Sequence, residues 1–306
     1  MRGQVRLRGE NPVGAAESVN TCTGDGRLLE ALVSGPSAGT VLVLHTGTPC
    51  GLVPLPAGLD PAPMGLRTVL YARPGYGRST PQPGRTVADA AGDTAAILDA
   101  LGADKFLNLG WSGGGPYALA CDALMADRCL ATAVIAGIAP YAEAEISSPV
   151  RAWYEADEDN QLAFAGDIEG FRQAVDAFVA QLANAKAENI AAGANSDADR
   201  RFFSQGYAEW VASFLRAGGV SGSHGAADDC LATLRDWGFP LTNIRQVTIW
   251  QGTEDQHVPP FHAEWLKDHL PQAELRTLEG EGHNSIVGHL PEIITTLIAT
   301  GQSAQN

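Results

Sequence analysis

A serine, an acidic pair and a histidine stand in three separate turn-forming stretches of this sequence. Ser112 lies within Gly-Trp-Ser-Gly-Gly, Glu254 and Asp255 within Gly-Thr-Glu-Asp-Gln-His-Val-Pro, and His283 within Gly-Glu-Gly-His-Asn. A serine hydroxyl is a poor nucleophile unless a base removes its proton, and that base needs a carboxylate to orient it. The order serine, acid, histidine is associated with a G-x-S-x-G nucleophile. These residues therefore predict nucleophilic attack on a carbonyl group.

The stretch around Ser112 predicts a strand that turns sharply into a helix. Residues 106–109 are mostly apolar, as in a buried strand, and a helical pattern begins near Pro116. Gly110 and Gly114, which lack Cβ, stand where the two backbones must approach closely. The other interpretation is a phosphate-binding loop, but the sequence here has neither the P-loop lysine nor G-x-G-x-x-G. The nucleophile interpretation is favoured.

Size and composition predict an ordinary globular protein with a large core. The chain has 306 residues, of which 45% are hydrophobic and 18% charged. Its five cysteines are scattered and form no C-x-x-C pair, so neither a zinc site nor a disulfide framework is indicated.

Charge and hydropathy limit the partners and the location that we expect. A formal charge of −15 argues against nucleic acid and anionic membranes as partners. The sequence has no apolar stretch long enough for a membrane helix, and its polar first ten residues do not resemble a signal peptide. We expect a cytoplasmic protein that acts on a small molecule; its oligomeric state is left open.

The order of the predicted elements indicates an α/β fold. After a lead-in over 1–15, apolar runs predict strands at 40–45, 66–71, 130–136, 246–250 and 273–278 in addition to the one before Ser112. Predicted helices alternate with these strands, which indicates a mostly parallel sheet with helices on both faces. Residues 142–230 lack strand-like runs and carry regularly spaced aromatics. The prediction is a core of 1–141 and 231–306 with a helical insertion at 142–230.

With these motifs in this order, the chain resembles the α/β-hydrolase superfamily, in its serine-nucleophile branch with a helical cap. The resemblance runs from about residue 17 to 300, and its motifs include Thr-Gly-Thr-Pro and Arg-Pro-Gly-Tyr-Gly-Arg-Ser. It implies that Ser112 is the nucleophile, His283 the general base and Asp255, rather than Glu254, the orienting acid. It further implies an oxyanion hole and no cofactor or metal. The oxyanion donors would be the backbone amides of Gly113 and Thr48.

Two positions depart from the family pattern. The family often has histidine where Thr46 stands, whereas here His45 comes one residue earlier. Backbone donors would survive this change, although the hydrogen bonds supporting the loop would differ. An aspartate is common where Tyr71 stands. We expect His45 to be a strand-end histidine, and His257, His262 and His269 to lie at the surface.

The resemblance predicts hydrolysis of an ester, thioester or lactone of a small organic molecule through an acyl-enzyme. Alternatives on the same residues are C–C bond hydrolysis and a proline-iminopeptidase-like amidase, whose substrate amine acidic residues such as Glu143, Glu145 or Glu155 would hold. A non-catalytic receptor on this fold is a third alternative. The aromatics of the insertion predict an apolar substrate pocket, lined by Trp111, Trp153, Tyr207 and Trp210.

Overall fold

A computed structural model of the chain describes residues 16–303. The lead-in predicted for residues 1–15 lies outside this range. Eight strands form one sheet in the order β1-β2-β4-β3-β5-β6-β7-β8. The strands are β1 (Glu17–Cys22), β2 (Leu28–Ser34), β3 (Thr40–His45), β4 (Leu66–Tyr71), β5 (Phe106–Trp111), β6 (Cys129–Ile135), β7 (Val247–Gly252) and β8 (Ala273–Leu278).

The sheet is parallel except at one edge. β1 pairs with β2 and β2 with β4 in antiparallel fashion, and all other neighbours are parallel. The central strands β3, β5, β6 and β7 are buried almost throughout, whereas β1 and β8 at the edges are largely exposed or half-buried. Helices cover both faces of the central strands, so the sequences of these strands are almost continuously apolar.

Helices pack on both faces of this sheet. Those outside the insertion are α1 (Asp89–Ala100), α2 (Gly115–Leu124), α10 (Phe261–His269) and α11 (Leu290–Ser303). Along β6, Ala133 and Ile135 belong to the cluster that contains α11, while Val134 belongs to the cluster that contains α2 and α10. Alternate side chains of a strand point to opposite faces, so these two clusters are the two layers of the core. The predicted α/β fold class is confirmed.

The insertion between β6 and β7 is helical. Its elements are α3 (Ser148–Glu155), α4 (Glu158–Phe164), α5 (Ile168–Leu182), α6 (Ala187–Ala192), α7 (Asp197–Phe202), α8 (Ala208–Gly219) and α9 (His224–Thr233). A short π-helical segment, Phe203–Tyr207, joins α7 to α8. The predicted boundaries of the insertion stay predictions. α9 continues through the second of them, at residue 230.

The extents of the predicted elements are close to those observed. β3, β4 and β8 have the predicted bounds, β5 continues two residues beyond the prediction, and β6 and β7 are displaced by one or two residues at an end. Over residues 16–303, no helix combines the length and the apolarity that a membrane crossing requires.

Candidate active site

Ser112 lies at the tip of the turn between β5 and α2. Its φ of 56° is in the left-handed region, which is unusual for a residue other than glycine. A Cβ on Gly114 would lie 2.0 Å from the carbonyl oxygen of His45, and one on Gly110 would lie 2.6 Å from that of Gly114. Only residues without side chains fit at these two positions, as predicted. The strained turn leaves the Ser112 side chain half-buried at the carboxyl edge of the sheet.

The structure brings Ser112, His283 and Asp255 together in a hydrogen-bonded series. His283 Nε2 lies 3.0 Å from Ser112 Oγ, and His283 Nδ1 lies 2.8 Å from Asp255 Oδ2. The other oxygen of Asp255 accepts the amides of His257 and Val258, each at 2.9 Å. Those amides fix a carboxylate that is 3% exposed. The Glu254 side chain is exposed, and the carboxylate at His283 is that of Asp255.

The predicted oxyanion donors are also neighbours. A Cβ built on Gly113 would lie 3.3 Å from the backbone nitrogen of Thr48, and both residues line the same cavity as Ser112. Gly113 is the second residue of the 3-10 helix Ser112–Gly114, where amides have no partner within the helix. Two amides beside the serine are therefore placed to donate hydrogen bonds to an oxygen that develops negative charge.

Arg73 supports the loop that carries Thr48. Its Nη1 donates to the carbonyl of Thr46 at 2.6 Å and its Nη2 to that of Gly47 at 2.9 Å. Nη2 also lies 3.2 Å from Thr48 Oγ1. This buried guanidinium supports the loop in which Thr46 stands at the family's histidine position.

Asp229, on α9, accepts hydrogen bonds from several segments at once. Its carboxylate bonds Arg73 Nη2 at 2.6 Å, Arg85 Nη2 at 2.6 Å and Thr48 Oγ1 at 3.1 Å. The hydroxyls of Tyr76 and Tyr117 donate to it as well, at 2.8 and 2.7 Å. Burial alone would raise the pKa of Asp229, but Arg73 and Arg85 outweigh burial and hold that pKa well below its usual value.

The remaining histidines include one wrong prediction. His45 is buried at the strand end, and burial, with the nearby charge of Arg73, lowers its pKa to about 3. His262 was expected at the surface but is completely buried, where its Nδ1 accepts the Ala139 amide at 3.1 Å. Helix periodicity gave no sign that this face of α10 meets α3 and the end of β6. His257 and His224 are exposed, and His257 lines the cavity described next.

A cavity of about 480 Å³ opens above Ser112. Its walls are mainly aromatic and aliphatic, with Trp111, Trp153, Tyr154, Phe203, Val211 and Phe214 among them. Polar groups on the walls include Asp157, Asn160, Asn189, Asp199, His257 and Asn284. An apolar pocket with a few polar groups around reactive residues is typical of a small-molecule site.

Two of the four predicted pocket residues lie elsewhere. Trp111 and Trp153 line the cavity, but Tyr207 and Trp210 do not. Tyr207 stacks on Phe202 with ring centroids 4.4 Å apart. Trp210 stacks behind Trp111 and donates its indole N–H to the carbonyl of Pro54. Both also pack against the apolar cluster that contains side chains of the central strands and α11, a use of aromatics that sequence spacing does not distinguish from pocket lining.

Sequence reasoning missed Asp229 and Asp199. Both are aspartates in the insertion that are at least 98% buried, and each binds a loop of the site. An aspartate among the small apolar residues of Ala-Ala-Asp-Asp-Cys-Leu-Ala was a usable signal for Asp229, because buried acids need partners. Within residues 16–303, no group of His, Cys, Asp and Glu side chains could hold a metal ion.

The sequence matches the family model described as "alpha/beta hydrolase fold" over residues 39–290. It is 32% identical, over 237 residues, to a pimeloyl-[acyl-carrier protein] methyl ester esterase from Aromatoleum aromaticum. That match covers 77% of this chain and 87% of the relative.

Solved structures with the same fold include two esterases. One, from Thermogutta terrifontis, superposes with a TM-score of 0.64 at 18% identity, covering 95% of this chain and 98% of that one. The other, from Rhodococcus sp. ECU1013, has a TM-score of 0.62 at 20% identity and covers 92% and 99%. At these identities the likeness concerns the fold alone.

We expect Asp229→Asn to destabilise the protein by about 3–5 kcal/mol, because it removes the carboxylate that pairs with buried Arg73 and the nearer of the two that pair with Arg85, the other being Asp228 at 3.7 Å. Asp197→Asn is the matched control: its carboxylate is exposed and pairs with Arg200 at the surface, so the change should be within about 0.5 kcal/mol. Denaturant unfolding at pH 7 measures both.

The contribution of Asp229 should depend on pH in one direction. Because its pKa is lower in the folded than in the unfolded protein, the stabilisation is complete above the unfolded value near ~4 and is lost as pH falls toward the folded value. The difference in stability between wild type and Asp229→Asn should therefore be constant from pH 6 to 8 and shrink below about pH 4. A difference that grew on acidification would contradict this assignment.

Proposed function

The chain belongs to the α/β-hydrolase fold family, and from this membership and the geometry of the site we propose that it is a serine hydrolase. It cleaves a carboxylic ester, or the related thioester or lactone, of a small organic molecule through an acyl-enzyme. The observation that carries the proposal is the series Ser112–His283–Asp255, at 3.0 and 2.8 Å, at the cavity of about 480 Å³.

In the proposed reaction Ser112 Oγ attacks the carbonyl carbon while its proton passes to His283 Nε2. The carbonyl oxygen becomes an oxyanion that accepts hydrogen bonds from the amides of Gly113 and Thr48. Asp255 supports the imidazolium through Nδ1. His283 then gives its proton to the departing alcohol as the C–O bond breaks.

Water completes the cycle. It attacks the acyl-enzyme carbonyl, passes its proton to His283, and the acid leaves as Ser112 regains a proton. Every proton transfer uses a side chain already in place, so the proposed reaction requires no cofactor or metal.

The ester class is supported by the relative from Aromatoleum aromaticum, whose name specifies a methyl ester. The amidase alternative required acidic groups at the substrate. Glu143, Glu145 and Glu155, suggested for that role, do not line the cavity, and Glu155 instead accepts the hydroxyl of Tyr141 at 3.1 Å. Asp157 and Asp199 do line the cavity, so the preference for ester over amide hydrolysis rests on the relative and not on an absence of acidic groups.

Ser112→Ala should abolish both labelling by a fluorophosphonate probe and hydrolysis of p-nitrophenyl esters. A nucleophile that acts as a unit with its base contributes on the order of 10⁶ in kcat. Labelling followed by intact-mass measurement detects the covalent adduct, and the ester assay follows turnover. Full activity in Ser112→Ala would refute the mechanism. Labelling of the wild type without turnover would favour the receptor alternative.

Asp255→Asn should lower kcat by roughly 10⁴, since an asparagine stabilises the wrong histidine tautomer and cannot support the imidazolium. Glu254→Gln provides the matched control: its side chain is exposed, so kcat should stay within about twofold of wild type. Steady-state kinetics on one ester compares the two. The reverse ranking would assign the acid to Glu254.

Trp153→Ala should change substrate selectivity because its ring forms part of the cavity wall. Ratios of kcat/KM between long and short esters should change by roughly tenfold, the effect of a few methylene groups in an apolar pocket. Series that vary the acyl chain and the alcohol separately cover both ends of the pocket. Tyr207→Ala, outside the cavity, should leave these ratios unchanged even if it lowers stability. Equal profiles for wild type and Trp153→Ala would place the substrate elsewhere.

A further inference from the structure

The turn that carries His283 has a hydrogen bond of its own, from the Gly282 amide to Ser285 Oγ, and receives others from outside itself. It follows β8 and precedes the 3-10 helix Ser285–His289, so His283 lies in neither a strand nor a helix. Its ring must nevertheless meet Ser112 and Asp255 within hydrogen-bond distance on its two edges. A displacement of the ring by a fraction of an ångström would lower the rate of proton transfer.

Asp199 of α7 accepts two of the hydrogen bonds from this turn. Its Oδ1 accepts the backbone amides of Asn284 at 3.0 Å and Ser285 at 2.7 Å, the two residues that directly follow His283. Asp199 is 2% exposed. The bonds are charge-assisted, and they cap the beginning of the Ser285–His289 helix from a different segment of the chain.

The fit around this carboxylate is close on its other side as well. A Cβ on Gly282 would lie 2.6 Å from Asp199 Oδ2 and 2.4 Å from Ser196 Oγ. Ser196 is the N-cap of α7, and its Oγ accepts a hydrogen bond from the Asp199 amide at 3.0 Å. The segment from Ser196 to Asp199 therefore packs against the backbone immediately before His283 and bonds to the backbone immediately after it.

Asp199 makes these bonds without a cationic partner. Across residues 16–303, no Lys, Arg or His side chain forms an ion pair with it, in contrast to Asp229 and its two arginines. A buried carboxylate that depends on backbone amides is costly to move, because displacement would leave its charge without donors. It is therefore a rigid support for the turn that it contacts.

We infer that Asp199, which lies on one of the inserted helices, is a positioning residue for His283, the proposed general base in the core. The inference rests on the proposed function, since it assigns a role toward the proposed base. Asp199 holds the turn so that Nε2 faces Ser112 while Nδ1 faces Asp255. The insertion then contributes to proton transfer as well as to the walls of the cavity.

The experiment compares three variants by steady-state ester hydrolysis. Asp199→Ala removes both acceptor bonds and should lower kcat by on the order of 10²-fold, with KM within about twofold. Asp199→Asn retains an oxygen that can accept both amides and should keep at least about a third of wild-type kcat. Asp197→Ala, two residues away and exposed, should match the wild type. Thermal unfolding and fluorophosphonate titration give the fraction of folded, reactive protein, so kcat is expressed per reactive serine.

The outcomes separate this inference from simple structural support. An Asp199→Ala enzyme with wild-type kcat, a loss confined to KM, or an Asp199→Asn enzyme as impaired as Asp199→Ala would each overturn it. If Asp199→Ala does not fold, Gly282→Ala tests the same contact by displacing the carboxylate, and unchanged kcat there would overturn it too. A wild type that neither labels nor turns over would remove the proposed function itself. An active wild type with an unaffected Asp199→Ala would refute the inference alone.

Discussion

The buried carboxylate of Asp229 is the interaction on which the arrangement of the site depends. It joins α9 to the loops after β3 and β4 and to α2, through Thr48, Arg73, Arg85 and Tyr117. Burying these charges is unfavourable unless each finds its partner, so displacement of one segment would leave a charge of another unpaired. The same network fixes the loop that bears the Thr48 amide, because Arg73 donates to two carbonyls of that loop.

The insertion between β6 and β7 contributes a second carboxylate to the core. Asp199 binds the turn that follows β8, as Asp229 binds the loop that follows β3. The two loops belong to different halves of the sheet, and each carries one part of the proposed chemistry. A helical layer that only covered the site would need apolar contacts, which Tyr207 and Trp210 already provide. The buried aspartates give this layer a further role in the geometry of the site.

Features encoded by neighbouring residues were predictable from the sequence. The turn at Ser112 follows from two glycines and a change of hydrophobic period, and His283 and Asp255 could be located because both lie in turns after predicted strands. Asp229 and Asp199 were not predicted. The apolar neighbours of Asp229 indicate that it is buried, but the partners of both carboxylates lie far away in the chain, and no local pattern identifies those partners. The errors at His262, Tyr207 and Trp210 have a related cause: periodicity identifies the apolar face of a helix but not what that face contacts.

The two sides of Ser112 differ in how they would support the ion pair that the proposed reaction creates. On the histidine side, Asp255 lies 2.8 Å from the ring that would become an imidazolium. On the opposite side, the guanidinium of Arg73 lies 3.2 Å from Thr48 Oγ1, behind the loop whose amide would meet the oxyanion. The carboxylate of Asp229 lies equally close to that hydroxyl, at 3.1 Å, and pairs with Arg73 at 2.6 Å, so it offsets the positive charge there. The oxyanion side would therefore act through the fixed amides of Gly113 and Thr48, which stabilise a developing charge more than the neutral substrate.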